Sequence, residues 1–276
     1  MYPSFYVIEQ TNLCNLTCPY CPNHLYQRKI KVMSNEVFKN TIDQLLQVPN
    51  IKQTRIALHG CGEPLLSPHF VDNLRYLDGH NFTNIDFTTN GVLLKEDFIK
   101  TLKEIKCLSW VRVSLNSSRK ELMETMNRGA NFEKTVSNIQ LLLTLTKDKR
   151  PFNLTVQLMR TRQNTDETPE DIQGLFDEPI GVNEKVLDTF VQQFDEGGMA
   201  YNISNQPNCL FGNNSYFIHC DGDIVGCCLD NTKLQVFGNV SEGIFSDTVQ
   251  KRREDFSRQL LARDFINLPF CKECLK

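Results

Sequence analysis

The stretch Cys14-Asn-Leu-Thr-Cys18-Pro-Tyr-Cys21 stands directly behind the apolar run Phe5-Tyr-Val-Ile8, with its cysteines at spacings of four and three residues. A buried strand that runs straight into a ligand-bearing loop is the α/β arrangement, in which chemistry collects at the carboxyl ends of strands. Three thiols are one fewer than the four that a closed cubane iron–sulfur cluster takes. The missing ligand leaves one iron open, and an open coordination position is what separates a catalytic metal site from a structural one. A zinc site or scattered interior thiols are the alternatives that the triplet alone leaves standing.

Outward from this loop the chain alternates between strand and helix. Ser34 offers an N-cap to a helix carrying Val37, Phe38, Ile42, Leu45 and Leu46, which Val48-Pro49 stops. Arg55-Ile-Ala-Leu58 reads as the second strand and enters the irregular loop His59-Gly-Cys-Gly-Glu-Pro64. A helix near His69 to Leu77, a strand Ile85-Asp-Phe-Thr88 ending in Thr89-Asn90-Gly91 and a helix near Glu96 to Ile105 follow. Trp110-Val-Arg-Val113 then leads to Ser114-Leu-Asn116, with helices within Glu121 to Met126 and Phe132 to Leu145. A fifth strand is predicted at Leu154 to Leu158 and a sixth at Val186 to Phe190, and residues 162–182 read as a polar passage of unassigned structure. Six such units imply an α/β fold with a parallel sheet, a partial (β/α)6 TIM-like barrel rather than a closed one.

The texture changes near residue 200, which divides the chain into a barrel domain, 1–200, and a cysteine-rich domain, 201–276. The second part reads as a hairpin, Asn214 to His219 turning through Asp221-Gly222 into Ile224 to Cys227, because Asp-Gly between apolar runs favours a tight turn. Val236-Phe-Gly-Asn-Val240 and an amphipathic helix from about Ile244 to Leu261 precede Cys271-Lys-Glu-Cys274.

The bulk properties narrow the function classes. A net charge of −3 over 276 residues gives no broad basic field, so nucleic acid is not an expected partner. The basic run Lys251-Arg-Arg253 reads as a solvated helix face. No apolar run reaches a membrane span and the start Met-Tyr-Pro-Ser lacks signal-peptide character, so a cytoplasmic protein with no membrane partner is expected. Eleven cysteines in such a chain point to reduced thiolates engaged with metal or redox chemistry rather than to disulfides.

The C-x3-C-x2-C spacing with Tyr20 before the third cysteine, joined by Gly60-Cys-Gly-Glu-Pro64 at the end of the second strand, resembles the radical S-adenosylmethionine (radical SAM) superfamily. The resemblance implies that Cys14, Cys18 and Cys21 hold a [4Fe-4S] cluster whose open iron chelates the methionine moiety of S-adenosylmethionine. It further implies that Tyr20, in the motif's aromatic position, is among the cofactor-binding residues and that Gly60, Cys61, Gly62 and Glu63 approach the methionine ammonium. Asn90 matches the family's third-strand motif, and Ser114 with Asn116 its fourth-strand ribose contacts. Each of these last signals also reads as an ordinary strand-end turn. Cys61 is a spare thiol near the substrate or a small filler, and Arg112, Arg128 and Arg160 are equal candidates for the methionine carboxylate.

Cys209, Cys227, Cys271 and Cys274 resemble the Twitch domain, a shortened SPASM domain, within the same superfamily. The resemblance implies a second [4Fe-4S] cluster on these four thiolates, fully ligated and therefore suited to moving electrons. A zinc staple on the same four is the rival, and Cys220 or Cys228 can replace Cys227 or donate a hydrogen atom. Both cysteine groups, Gly62-Glu-Pro-Leu-Leu66 and Phe237-Gly-Asn-Val240 are similar to the radical dehydrogenases of aminocyclitol biosynthesis. The expected function is thus a radical SAM oxidoreductase acting on a small-molecule or peptide substrate, supplied by a flavodoxin- or ferredoxin-like electron donor. A peptide epimerase or crosslinking enzyme, which would need a separate leader-binding partner, and a non-catalytic iron–sulfur or zinc protein are the alternatives. The molybdopterin-forming branch is disfavoured because the chain ends Glu-Cys-Leu-Lys276 without a glycine pair.

Overall fold

The computed structural model describes residues 2–21, 23, 28–159, 163–183, 209, 214–227, 230–231, 233–264, 266–268 and 271. Its strands are β1 (Phe5–Ile8), β2 (Arg55–Ala57), β3 (Ile85–Thr89), β4 (Leu108–Asn116), β5 (Asn153–Leu158), β6 (Gly181–Asn183), β7 (Ser215–Ile218), β8 (Asp223–Val225) and β9 (Val236–Asn239). They form one sheet in the order β6-β5-β4-β3-β2-β1-β7-β8-β9. β1 to β6 are parallel neighbours joined by helical crossovers, β7 adds in parallel beside β1, and β8 and β9 return antiparallel. This is the α/β partial-barrel architecture expected, with the cysteine-rich part continuing the same sheet at the β1 edge.

The crossover helices are α1 (Asn35–Leu45), α2 (Phe70–Gly79), α3 (Glu96–Leu102), α4 (Lys120–Met126), α5 (Phe132–Thr146) and α6 (Pro169–Gln173), and α7 (Asp247–Leu261) follows β9. Ser34 caps α1 by accepting from the Val37 amide at 3.2 Å, and the helix buries Phe38, Thr41, Ile42 and Leu45 at near-helical spacing. Thr168 and Asp171 cap α6 reciprocally, with Pro169 in its first turn, where the missing N–H costs nothing.

Alternation along each strand separates two faces. Tyr6, Ile8, Ile56, Ile85, Phe87, Val111, Val113, Leu154 and Val156 enter the large core under the helices, while Val7, Ala57, Phe217 and Val225 cluster on the inner face. By register, that inner face continues as Ala57, Asp86 and Trp110, then Thr88, Arg112 and Thr155, then Ser114 and Gln157. A parallel sheet packed on both sides is normally apolar on both, so this polar gradient toward the carboxyl ends marks a lined interior. Burial alone would raise the Asp86 carboxyl. Hydrogen bonding from Arg55 and the charges of His59, Arg55 and Arg112 outweigh it and hold the group below its ordinary range.

One strand was not foreseen and one expectation changes. The sixth described strand is Gly181–Asn183, at the end of the passage 162–182 left unassigned, and the strand expected at Val186 to Phe190 lies outside the described residues. Arg253 is not on a solvated face: Lys251 and Arg252 are exposed, but Arg253 is 8 % exposed and lies over the Tyr216 ring at 5.3 Å. α7 turns its Val249, Arg253, Phe256 and Leu260 stripe inward, and the guanidinium rests on an aromatic face.

Candidate active site

Cys14, Cys18 and Cys21 line one cavity of about 410 Å³, together with Asn12, Arg28 and Ile30. A turn brings the last two thiols together, with the Cys21 amide donating to the Cys18 carbonyl at 3.0 Å. The chain then folds back over the loop. The Asn12 side chain donates to the Lys29 carbonyl at 2.9 Å and accepts from the Lys31 amide at 2.6 Å, which fixes one cavity wall. Burial pushes the Cys14 thiol up to about 11 and the Cys18 thiol to about 12, and the neighbouring thiols add to the rise. Among the described residues no three His, Cys, Asp or Glu side chains are close enough to share one metal ion. The three thiols stand around the cavity instead, and a cationic cluster bound there would stabilise their ionised form. The donor set fits a cluster with one open iron.

The glycine loop forms the next wall. A Cβ on Gly62 would stand 2.2 Å from the Thr11 carbonyl oxygen and 2.7 Å from that of Leu13, so the absence of a side chain lets the loop lie against the cysteine-bearing segment. Gly60 makes room for Glu9, whose Cγ would be 2.6 Å from such a Cβ. The Glu63 amide donates to the Leu13 carbonyl at 2.8 Å, and Cys21 Sγ lies 3.9 Å from the Cys61 carbonyl oxygen.

The Glu63 carboxylate is buried and accepts from Thr89 Oγ1 at 2.7 Å, the Asn90 amide at 2.8 Å and the Leu65 amide at 3.2 Å. Burial pushes its carboxyl up to about 7 despite these donors. It therefore ties the β2 loop to the β3 loop, and Asn90 extends the tie by donating to Asn15 Oδ1 at 2.9 Å.

At the end of β4, Ser114 Oγ donates to Gln157 Oε1 at 2.8 Å. Asn116 is left-handed, with φ of 74°, and its Nδ2 donates at 2.8 Å both to the Tyr20 hydroxyl and to Asn127 Oδ1. Its own Oδ1 is buried without a partner, an acceptor still open for a donor such as a ribose hydroxyl. Among the carboxylate candidates, Arg112 is held by Asp86, the exposed Arg128 meets the cysteine loop through its carbonyl, which accepts from the Thr17 amide at 2.9 Å, and Arg160 lies outside the described residues.

One group escaped the reading of the sequence. Glu9, fully buried, accepts from Arg28 Nη2 at 2.6 Å and the Cys61 amide at 3.2 Å through Oε1. Through Oε2 it accepts from the Cys220 amide at 3.1 Å and meets His219 Nδ1 at 3.2 Å. His219 Nδ1 is also 2.6 Å from Arg28 Nη1. Burial opposes ionisation of Glu9, but His219 and Arg28 outweigh it and hold the carboxyl at about 2. The available signal was a charged residue directly behind the buried run of β1. Its partners sit 19 and 210 positions away, beyond any local pattern.

Of the second cysteine group, Cys227 follows β8, Cys209 packs against the main core and Cys271 is buried. Cys274 and Cys228 lie outside the described residues. Cys220 is buried in the β7–β8 turn and Cys107 in the core behind β4, where its thiol lies 3.7 Å from the Leu74 carbonyl.

A parallel-sheet partial barrel with three thiols around a cavity at its strand ends, and a second thiol group beyond it, defines an iron–sulfur protein of the radical SAM type. The chain belongs to the radical SAM superfamily, whose model matches residues 8–174, and an iron–sulfur cluster-binding domain of the SPASM type matches residues 209–275. The first part accordingly binds a [4Fe-4S] cluster and S-adenosylmethionine, and the second binds additional iron–sulfur. The chain is 31% identical over 98 residues to a tungsten-containing aldehyde ferredoxin oxidoreductase cofactor-modifying protein of Pyrococcus furiosus, covering 36% of this chain and 27% of that one. In fold it is similar to BtrN, solved in complex with AdoMet and 2-DOIA, with 20% identity, a TM-score of 0.59, and coverage of 94% and 87% of the two chains. It is similar also to anSMEcpe with bound AdoMet, with 20% identity, a TM-score of 0.63, and coverage of 93% and 83%. The matches span from about a quarter to about half of the first curated relatives' length. Among the described residues no helix is long and apolar enough to cross a membrane.

Proposed function

We propose that this protein is a radical SAM oxidoreductase that removes a hydrogen atom from a substrate C–H bond and passes the surplus electron to its auxiliary cluster. The observation that carries this reading is the single cavity shared by Cys14, Cys18 and Cys21, with the Gly60–Gly62 loop pressed against the same segment. When bound, the cofactors supply the electron, the 5′-deoxyadenosyl radical and the electron acceptor.

The chain's own residues bind and aim. Cys14, Cys18 and Cys21 hold the first cluster, and Cys209, Cys227, Cys271 and Cys274 the auxiliary one. Gly60, Cys61 and Gly62 offer close backbone to the methionine end, and Glu63 and Asn90 keep that loop in place. Tyr20 closes the cluster loop onto β4, where Ser114 and Asn116 meet the ribose, Asn116 Oδ1 being the open acceptor. The polar inner-face rows from Asp86 to Gln157 receive the substrate. In this reading residues 1–200 carry the radical chemistry and 201–276 the electron acceptor, with a flavodoxin- or ferredoxin-like protein as electron donor.

Cys61 supports a second reading. It stands beside the first cysteine group, its carbonyl oxygen 3.9 Å from Cys21 Sγ, and anSMEcpe is also solved with a bound peptide. A peptide-modifying enzyme would use such a thiol to return a hydrogen atom. Anaerobically reconstituted protein with dithionite, S-adenosylmethionine and a panel of small molecules and peptides decides between them. Formation of 5′-deoxyadenosine with a product lighter by two hydrogens is expected. Solvent deuterium gained without oxidation selects the second reading, and no 5′-deoxyadenosine at all overturns both.

A further inference from the structure

Two guanidiniums share one buried carboxylate on the inner face of the sheet. Arg55, on β2, gives Nε to Asp86 Oδ2 at 2.5 Å and Nη2 to Oδ1 at 3.3 Å. Arg112, on β4, gives Nη1 to Oδ1, and His59 Nδ1 stands 3.9 Å from that same oxygen. Arginine stays charged at any working pH, so this group holds two positive charges against one negative. Arg55 meets both carboxylate oxygens and balances Asp86, which leaves the surplus charge with Arg112. The Arg112 and Asp86 side chains are 12% and 2% exposed, so that surplus acts through protein more than through water.

The Arg112 guanidinium is also held in place. Its Cζ lies 5.3 Å from the centre of the Trp110 ring, and Trp110 is fixed in turn by donating from Nε1 to Thr155 Oγ1 at 3.0 Å. Asp86 takes one of its three nitrogens, and among the described residues no second carboxylate pairs with it. In the register Arg112 stands level with Thr88 and Thr155, and the next row toward the strand ends is Ser114 and Gln157. These neighbours offer hydrogen bonds but no anion. Arg112 lies four residues before Asn116, which ends β4, and so stands below the strand-end loops that bear the cysteines and glycines. Resting on the substrate-receiving interior proposed above, we infer that Arg112 is a specificity-determining residue that binds an oxyanion of the substrate, a carboxylate or a phosphate. A planar guanidinium matches either group with paired hydrogen bonds. The rest of the substrate then extends toward the strand ends, where the cofactors bind.

The test is a titration of the anaerobically reconstituted protein, with S-adenosylmethionine present, by sodium phosphate and by sodium acetate at fixed pH and ionic strength. Emission from Trp110, the one tryptophan of the chain, follows binding beside Arg112. A saturable change is expected with phosphate, acetate or both, and whichever binds more tightly names the oxyanion. Acetamide, the uncharged counterpart of acetate, should give none. Arg112→Gln leaves the Asp86–Arg55 pair intact and should weaken anion binding about tenfold or more, while affinity for S-adenosylmethionine by equilibrium dialysis stays within about twofold of the parent. If Arg112→Gln does not fold, the contrast between acetate and acetamide in the parent decides. No saturable anion response, an equal response to acetamide, or an equal response in Arg112→Gln overturns the proposal. So does a loss of S-adenosylmethionine affinity in that variant, which would make Arg112 the ligand of the methionine carboxylate. Formation of 5′-deoxyadenosine is measured on the same samples. Its absence overturns the oxidoreductase reading itself, whereas its presence without an anion response overturns the role of Arg112 alone.

Discussion

The side-chain amide of Asn116, at the end of β4, donates to the hydroxyl of Tyr20 in the first cysteine loop at 2.8 Å, although 96 positions separate them. The same amide holds Asn127, which in turn donates to the Ser114 carbonyl at 3.0 Å, so the aromatic of the cysteine motif is anchored on the end of β4.

Replacing Asn116 with glycine removes the side chain while keeping a residue that accepts the left-handed backbone. It strips a buried partner from Tyr20 and Asn127, a loss of ~1–3 kcal/mol. Affinity for S-adenosylmethionine, measured by equilibrium dialysis on reconstituted protein, should fall roughly tenfold or more by that energy. An unchanged affinity would limit Asn116 to packing.

Gly62 and Gly79 make a matched pair. An added methyl at Gly62 meets two backbone carbonyl oxygens at 2.2 and 2.7 Å, whereas one at Gly79 meets nothing within 4 Å. Gly62→Ala should lose ~1–3 kcal/mol or more to overpacking, and Gly79→Ala, on α2, should gain ~0.5–1 kcal/mol. Urea midpoints of the iron-free protein measure both, and equal effects would contradict the contact assigned to Gly62.

Two cubanes require about eight irons per chain. Cys14→Ala and Cys227→Ala should each bring the count to about four, with different EPR signals surviving. If Cys227→Ala leaves the iron content unchanged and zinc is found, the second site is a staple.

Glu63 should make the iron-free protein less stable as pH rises. Its carboxyl is pushed up to about 7 in the folded chain from an ordinary 4.5, so the native state holds the proton more tightly. That stability is present below the unfolded value and is lost as pH rises through about 7, on the order of 3 kcal/mol in all. Urea denaturation at about pH 5 and about pH 8 should show this loss in the parent and not in Glu63→Gln, which has no proton to release. Equal pH dependence in the two would place the ionisation elsewhere.

The motifs that could be read from the chain were those whose partners lie close in sequence. Cys14, Cys18 and Cys21 fall within one turn-forming loop, and the hairpin at Asp221-Gly222 carries its own signal; both stand where expected. Arg253 was misread because a basic triplet on a polar helix says nothing of which member meets Tyr216. The short strand Gly181–Asn183 was missed because three residues carry too little periodicity to rise above their polar surroundings.

Local spacing and alternation by themselves determined the strand–helix order, the two cysteine groups and hence the radical SAM membership, because ligand counts and periodicities are properties of neighbours along the chain. Only the tertiary structure decided that β7 joins the sheet beside β1 and that Glu9, Arg28 and His219 meet there. It also decided that Gly60 and Gly62 are empty to admit Glu9 and the backbone of Thr11 and Leu13. Those contacts depend on sheet register and on buried space, which no short stretch of sequence encodes.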